Sequence, residues 1–550
     1  MTDIIDIETD ILIVGAGPVG LALAGDLGWR EISCLVVEQS DGTIVQPRQD
    51  LVGVRTMEFC RRWGIVADVE AAPYPRDYPQ DNIYIAGGLV QGWEIGRYEN
   101  PPMAGEKPLP QSPQHRERCP QNMFDPVLRK FAESRPGVSL RYRHRFLGVE
   151  QFDDHVVARI EDIGTNQILF VRARYLVGCD GAGSAVRTGL GIEMEGNPAL
   201  TYTTNVIFRR EGFEALHDKR PGYRFIFVKP EGTWATLVAI NGRDQWRFSI
   251  VRASDRPREL TEDEIRAAIA EAIGIEFDYE ILSVLPWTRR QLVAERFRDG
   301  RVFIAGDAAH MMSPTGGFGM NTGLGDIVDL SWKFEATLQG WGGEALLDSY
   351  EAERRPVALR NVAEASGNLG RMLSPEKSPH LLDDTDEGAA IREQTGAALA
   401  ESMKREWQSL GIHLGYVYAG SPICVPDGTP APASDASDYV QTSWPGARAP
   451  HVWLDPGWST LDLFGRGFVL LCLDAELMDI DALCEAADAA GVPLTSVRLS
   501  KKSAVRAYER KLVLVRPDGH VAWRGDTLPD NPADLIDIIR GAGPAREGRS

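Results

Sequence analysis

Residues 11–38 constrain this chain more than any other stretch. The apolar run Ile11-Leu12-Ile13-Val14 leads into Gly15, Gly17 and Gly20, spaced G-x-G-x-x-G, and a second apolar run, Cys34–Val37, is closed by Glu38. Short apolar runs bounded by turn residues are the pattern of strands buried in a parallel sheet, and residues 19–28 read as the helix that crosses between them. Each glycine has its own task. Gly15 permits the tight turn, Gly17 lets backbone approach a pyrophosphate, and Gly20 lets helix and strand pack closely, with Pro18 in the same loop. The helix start offers free N–H groups and a positive dipole end to phosphates. Glu38, at the offset the fingerprint requires, can accept hydrogen bonds from ribose hydroxyls. A dinucleotide-binding unit follows; this motif alone does not separate FAD from NAD.

At 550 residues the chain is too long for one core, so two or three domains are expected. A net charge of −20 argues against nucleic acid or an anionic membrane as partner. Any anionic cofactor must then be held by local arginines and helix ends. The seven cysteines (34, 60, 119, 179, 424, 472 and 484) form no CxxC and no metal spacing, which suggests free thiols in a reducing compartment and no metal. No apolar run is long enough to span a bilayer, and the ten residues before the first strand leave no room for a signal peptide, so a cytoplasmic location is expected.

Tyr175–Gly181 (YLVGCDG) repeats the pattern of a strand ending in glycine and acid, with Arg187 seven residues after Asp180. Phe303-Ile304-Ala305-Gly306-Asp307 repeats it again, nearly 300 residues after the first motif, which implies a ligand longer than NAD across the sheet. The three segments GAGPVG, YLVGCDGAGSAVR and RVFIAGDAAHMMSPTGGFGMN, in this order, resemble the FAD-dependent aromatic hydroxylases, the single-component class A flavoprotein monooxygenases, and among them the phenol hydroxylases. The resemblance runs from residue 10 to about 360 and continues through Tyr350–Pro356 (YEAERRP). It implies an α/β Rossmann-like FAD-binding domain. Glu38 would hold the adenosine ribose and Asp307 the ribityl chain. Asp180 and Gly181 would lie where FAD and NAD(P)H bind. Gly316 to Asn321, including Gly317, Gly319, Met320 and Asn321, would line the isoalloxazine, and Arg48 and Gln121 would contact the flavin. The helix starting near Met320 carries Leu324, Ile327, Val328 and Trp332 on one face. Its positive end would stabilise an anionic reduced flavin by ~0.3–2 kcal/mol.

The resemblance also implies chemistry. NAD(P)H reduces FAD, O2 adds to give a flavin C4a-hydroperoxide, and its distal oxygen attacks a phenolic ring, while the protein excludes water and positions the substrate. Asp50, five residues before Arg55, stands where phenol hydroxylases carry an active-site aspartate; it is expected to act as general base or phenol-orienting acceptor, the alternative being the cap of a helix beginning near residue 53. Trp287 stands where those enzymes place a substrate-facing tyrosine; indole can donate a hydrogen bond but not relay a proton, and a core role is the alternative. Pro314 would present a carbonyl near the peroxide. Trp246 and Phe248 face either a substrate pocket or the core. Arg289 and Arg290 face a substrate carboxylate or solvent, and His310 reads as structural. Arg61, Arg62 and His115–Arg118 are the nearest positive charges for NAD(P)H, or a solvated surface. Baeyer–Villiger, epoxidising or quinone-forming oxygenation on the same fold stays open, as does a flavin-free nucleotide-binding scaffold. The W-x-W-x-I-P motif of a halogenase is absent.

The domain reading is an FAD domain over 1–190 and 285–370 with an inserted β-sheet substrate domain over 191–284, joined by parts of 70–115. Period-two spacing at Trp246, Phe248 and Ile250 supports the strands. Residues 371–440, rich in Pro, Asp and Ser, read as a linker. Residues 441–550 resemble the thioredoxin-like α/β domain of longer aromatic hydroxylases, with a hairpin turning at Asp518-Gly519. Without CxxC, structural support or a homodimer contact is expected of it rather than dithiol chemistry.

Overall fold

The computed structural model describes residues 5–252, 258–375, 377–473 and 480–543. At the centre of the first sheet, Ile7–Val14 runs parallel to Gln167–Gly178 on one side and Cys34–Glu38 on the other. Val302–Ile304 and Val138–Tyr142 extend it outward, also in parallel. The four residues Ile11–Val14 are at most 5% exposed, as expected when crossover helices cover the sheet; Pro18–Trp29 is one of them and Gln121–Glu133 packs beside it. Because the strands are parallel, Val14, Glu38, Gly178 and Ile304 all end on one edge, where such sheets take their ligands.

The second sheet has eight strands. Glu280–Ala294 and Met194–Arg209 pair along most of their length, followed by Gln245–Arg252, Gly232–Ala239, Arg224–Lys229, Asn82–Ala86 and Trp93–Tyr98, with His310–Met311 at the far edge. Its two faces differ in chemistry. On one, Trp246, Phe248 and Ile250 pack with Phe208, Phe213 and Phe225 under the helix Glu262–Ile273, whose Thr261 and Glu264 cap its first turn reciprocally. Trp246 and Phe248 are 1% and 0% exposed, so the pocket-lining expectation for them is corrected to core packing. Residues one position along the strand point the opposite way. That opposite face carries Arg247, Ser249, Thr203, Asn205, Arg224 and Arg289.

The linker reading of 371–440 is also corrected. Residues Asp386–Trp407 form a 22-residue helix whose first turn is capped by Thr385. Its contact face uses Gly396, where a Cβ would lie 1.5 Å from the Ile95 carbonyl oxygen, with Leu399 and Met403 beside Met372 and Ile226. Close approach through glycine buries backbone rather than large side chains, so the apolar stripe was too thin to read as a helix.

The last sheet orders Leu494–Arg498, Phe468–Cys472, Leu512–Val515 and Val521–Gly525, with the first pair parallel and the others antiparallel. Its hairpin turns at Gly519, φ +88°. One face docks on Trp332, Trp341 and Leu346 of the first domain. Buried charge joins the same parts. Arg516 bonds to Asp329, Glu353 and Asp518, and Lys333 lies 2.7 Å from both Asp329 and Glu353.

Arg448 reaches across to Glu58, which also pairs with Arg55 at 2.8 Å and accepts from Ser112 Oγ at 2.6 Å. Burial alone would raise the Glu58 carboxyl, but Arg448 and Arg55 hold it down at about 2, against 4.5 ordinarily. A carboxyl depressed in the folded state adds stability above its unfolded value and loses it as pH falls towards the folded one. The melting temperature of the wild type should therefore fall between pH 4.5 and about 2 by a step that the already weaker Glu58→Gln does not repeat. Parallel slopes for the two proteins would refute this.

Candidate active site: a dinucleotide cradle facing an aspartate–tyrosine pair

The cradle is shaped where side chains cannot fit. Gly15 has φ +104°, and a Cβ there would lie 2.5 Å from Cys179 O; at Gly20 a Cβ would lie 2.0 Å from Gly15 O. At Gly17 a Cβ would meet nothing within 4 Å, so that side of the loop is open to an incoming pyrophosphate. Pro18 is the first residue of the helix, whose start has no side-chain cap. Glu38 closes the rim, its carboxylate accepting from Ala16 N at 3.0 Å and Ser40 N at 2.8 Å.

The second wall is the Gly306-Asp307 turn, with Gly306 at φ +61°. His310, fully buried, lies 2.7 Å from Asp326, which accepts from Gly306 N and pairs with Arg354; this triad fixes the turn and takes His310 away from chemistry. The Asp307 carboxylate accepts no hydrogen bond from the described residues, and burial raises it while His310 and Arg48 pull it down. A half-buried carboxylate without a donor calls for one, and the hydroxyls of a ribityl chain supply it. Asp307→Ala should weaken FAD binding about 10- to 100-fold, the ~1.5–3 kcal/mol of hydrogen bonds to a charged group. Fluorescence titration of the apoprotein measures it, and unchanged affinity would count against this role.

The third wall, Gly316 and Gly317 at φ +91° and +67°, opens the helix Phe318–Leu338. Asn321 ties this loop down: its Oδ1 accepts from Gly53 N and Thr56 Oγ1, and its Nδ2 donates to Leu51 O and Gly317 O. Gly319 leaves room above Asp307, and Met320 is buried. Arg48 is positioned through its backbone N, which donates to Gln121 Oε1 at 3.1 Å, and its guanidinium lies 5.5 Å from the Trp287 ring. The three walls, with an open pyrophosphate loop and a carboxylate wanting hydroxyls, fit FAD. When bound, FAD supplies the redox ring on which oxygen is activated.

Asp180 and Pro314 each have partners within the protein. Asp180 has both oxygens engaged, with Ser184 Oγ at 2.5 Å and Val186 N at 3.1 Å, so what it brings to the cradle is backbone beside Gly15, and Gly181 follows at φ +78°. Pro314 is exposed and its carbonyl accepts from Gly317 N at 3.1 Å, which closes the loop.

Asp50 does not cap the helix Val54–Trp63, whose N-cap is Gly53. Its neighbour Leu51 lies against Gly317 of the loop. The Asp50 carboxylate accepts from Arg118 Nη1 at 2.9 Å and from the Tyr223 hydroxyl, with Arg247 at 3.8 Å. Burial alone would raise Asp50, but Arg118 and Arg247 hold it below the usual carboxylate range. Burial pushes Tyr223 above the usual phenol range, so it stays neutral, with the Arg118 guanidinium 3.8 Å from its ring. Arg118, expected near NAD(P)H or on a solvated surface, is thus buried at this pair. The Asp386–Trp407 helix delivers Glu406, which bonds to Arg224 Nη1 at 2.9 Å and Gly316 N at 3.3 Å, and Trp407, edge-on to Tyr223. Arg289, expected at a carboxylate or on a solvated face, is 7% exposed with an unpartnered Nε; burial, with Arg224 and Arg247 beside it, lowers it to about 10. Tyr223, Arg247, Glu406 and Trp407 went unread in the sequence. The available signal was a charge inside an apolar strand, as in Tyr223-Arg224-Phe225-Ile226-Phe227.

Comparison with known proteins agrees with this geometry. The FAD binding domain family matches residues 8–365, and the aromatic-ring hydroxylase C-terminal family matches residues 442–541. The chain is 32% identical to 4-methyl-5-nitrocatechol 5-monooxygenase of Burkholderia sp, over 97% of each protein. It superposes on chromopyrrolic acid-soaked RebC with bound 7-carboxy-K252c with a TM-score of 0.90 and 41% identity, covering 98% of this chain and 100% of that one. It superposes on the flavin-dependent monooxygenase PieE in complex with FAD and substrate with a TM-score of 0.85 and 31% identity, over 98% and 99% of the two chains. With the FAD binding domain family covering both the glycine-rich turn and the Asp307 wall, the chain belongs to the FAD-dependent aromatic-ring hydroxylases, a family of flavoprotein monooxygenases.

Proposed function

We propose that this enzyme hydroxylates a phenolic aromatic substrate, using NAD(P)H as reductant and O2 as oxidant. The observation that carries the reading is Asp50 paired with Tyr223 next to the Gly316–Gly317 loop. A substrate phenol donating to this pair would be oriented towards the flavin ring, and moving its proton onto an acceptor activates the ortho and para carbons. Tyr223, rather than Trp287, would offer the substrate a phenolic hydroxyl. Held below its usual range by two arginines, Asp50 acts as the orienting acceptor and anchor of Tyr223 more than as a strong base.

The polar sheet face supports an anionic substrate. Arg224, Arg247 and Arg289 stand on it, and Arg289 has no carboxylate partner within 4 Å among the described residues. A buried guanidinium with a free N–H matches a carboxylate or phenolate. RebC, a structural relative, was captured with a carboxylated ligand.

The test is NAD(P)H oxidation by the FAD-loaded enzyme with a panel of phenols, with and without a ring carboxylate, scored for hydroxylated product against peroxide. A phenolic acid is expected to accelerate flavin reduction and to be hydroxylated. If no phenol does either, and an electron-poor ketone or a quinol is oxygenated instead, the reading gives way to Baeyer–Villiger or quinone-forming chemistry.

A further inference from the structure

A second cavity, of about 350 Å³, opens between the first domain and the C-terminal domain. Trp29, Phe59 and Phe464 are among the residues that line it. Trp29 ends the twelve-residue helix that starts at Pro18, so the cavity lies roughly 18 Å from the pyrophosphate loop at ~1.5 Å per residue. It is therefore distinct from the FAD cradle.

Its walls are cationic in a chain of net charge −20. Four arginines line it against Glu58 and Asp462. Two are spent within the protein: Arg55 on Glu58 and Asp518 O, and Arg61 on Asp462 and Gly457 O. The other two have no carboxylate within 4 Å among the described residues. Arg62 has a buried Nη1 without a hydrogen-bond partner, and its chain is wedged against Gly465. Arg466 stands exposed with its guanidinium 4.1 Å from the Trp29 ring centre. Burial and the neighbouring Arg55 lower Arg62 to about 10, more than the distant carboxylates of Asp26 and Asp518 restore.

We propose that this interdomain cavity binds a nucleoside phosphate, with the base on the outer face of the Arg466 guanidinium that covers Trp29 and the phosphate on Arg62. Guanidinium forks match phosphate oxygens. Aromatic rings and arginine planes stack on bases. The volume lies in the range of small-ligand sites, ~300–1,000 Å³. Such a phosphate has two sources, a free nucleotide or the adenylate end of the nicotinamide reductant. The proposal is independent of the hydroxylation chemistry, because binding is read without turnover.

The test is calorimetric titration of the FAD-loaded protein with 5′-AMP, adenosine and inorganic phosphate. One saturable 5′-AMP site is expected, with adenosine and phosphate each at least tenfold weaker. Arg466→Ala, at an exposed position, and Arg62→Gln should each weaken 5′-AMP at least tenfold while flavin content is retained. Absence of saturable 5′-AMP binding, phosphate binding as tightly as 5′-AMP, or Arg466→Ala binding like wild type would each overturn the proposal. A raised KM for NADPH in Arg466→Ala at unchanged kcat would identify the reductant as the source; an unchanged KM with 5′-AMP binding lost would identify a free nucleotide.

Discussion

Replacing Arg516 by alanine should cost about 3–5 kcal/mol, the penalty for leaving partners of a buried ion pair uncompensated. Arg516, Lys333, Asp329, Glu353 and Asp518 are all at most 2% exposed by side chain. The group balances only as a set. Burial pushes Asp329 up against the pull of Lys333 and Arg516, while Arg516 and Lys333 hold Glu353 down against burial, and Arg516 holds Asp518 down. Two cations then face three carboxyl groups. Without the guanidinium, Lys333 is left as the one cation of this set, in a space that admits no water to screen the carboxyls. The contacts join the C-terminal hairpin to the helices Phe318–Leu338 and Ser349–Leu373. Undocking of the C-terminal domain should therefore come first in the melt, and the loop that opens Phe318–Leu338 should loosen with it. Differential scanning calorimetry and limited proteolysis measure this. A loss below about 1 kcal/mol would show the cluster to be no better than a surface pair.

Removing the Asp50 carboxylate is expected to lower product formation on the order of 10²-fold, the size of a loss of substrate positioning. The loss has two parts. Tyr223 loses its acceptor and its fixed orientation, and Arg118 and Arg247 lose their counter-charge beside the substrate. Asp50→Ala should keep its FAD, because Leu51 and Gly53 are held to the loop through backbone contacts with Asn321. Reducing equivalents should still be consumed and appear as peroxide, so the ratio of product to NAD(P)H oxidised falls more than the oxidation rate. Tyr223→Phe, which keeps the carboxylate and its arginines, should fall less. Product formation within a few-fold of wild type in Asp50→Ala would remove Asp50 from the reaction.

The cradle was legible in the sequence because its chemistry is local. Gly15, Gly17, Gly20 and Glu38 lie within 24 residues, and each is dictated by its own turn or strand end. Gly306-Asp307 and the glycines after it repeat that logic. The face around Asp50 was not legible in the same way. Asp50 meets Tyr223 and Arg118 across separations of 173 and 68 residues, and nothing local marks a carboxylate that will find a tyrosine that far away. The period of two placed Trp246, Phe248 and Ile250 in a strand but left open which face met the core. That was decided by the helix Glu262–Ile273 settling on Trp246 and Phe248, which turned Arg247 towards Asp50. The Asp386–Trp407 helix was hidden because glycine and alanine bury backbone instead of side chains. What the residue order determined alone was therefore the nucleotide-binding turn and its family; which charges gather around Asp50 was decided only when sheet and helices packed, because a strand's pattern sets alternation and its neighbours set direction.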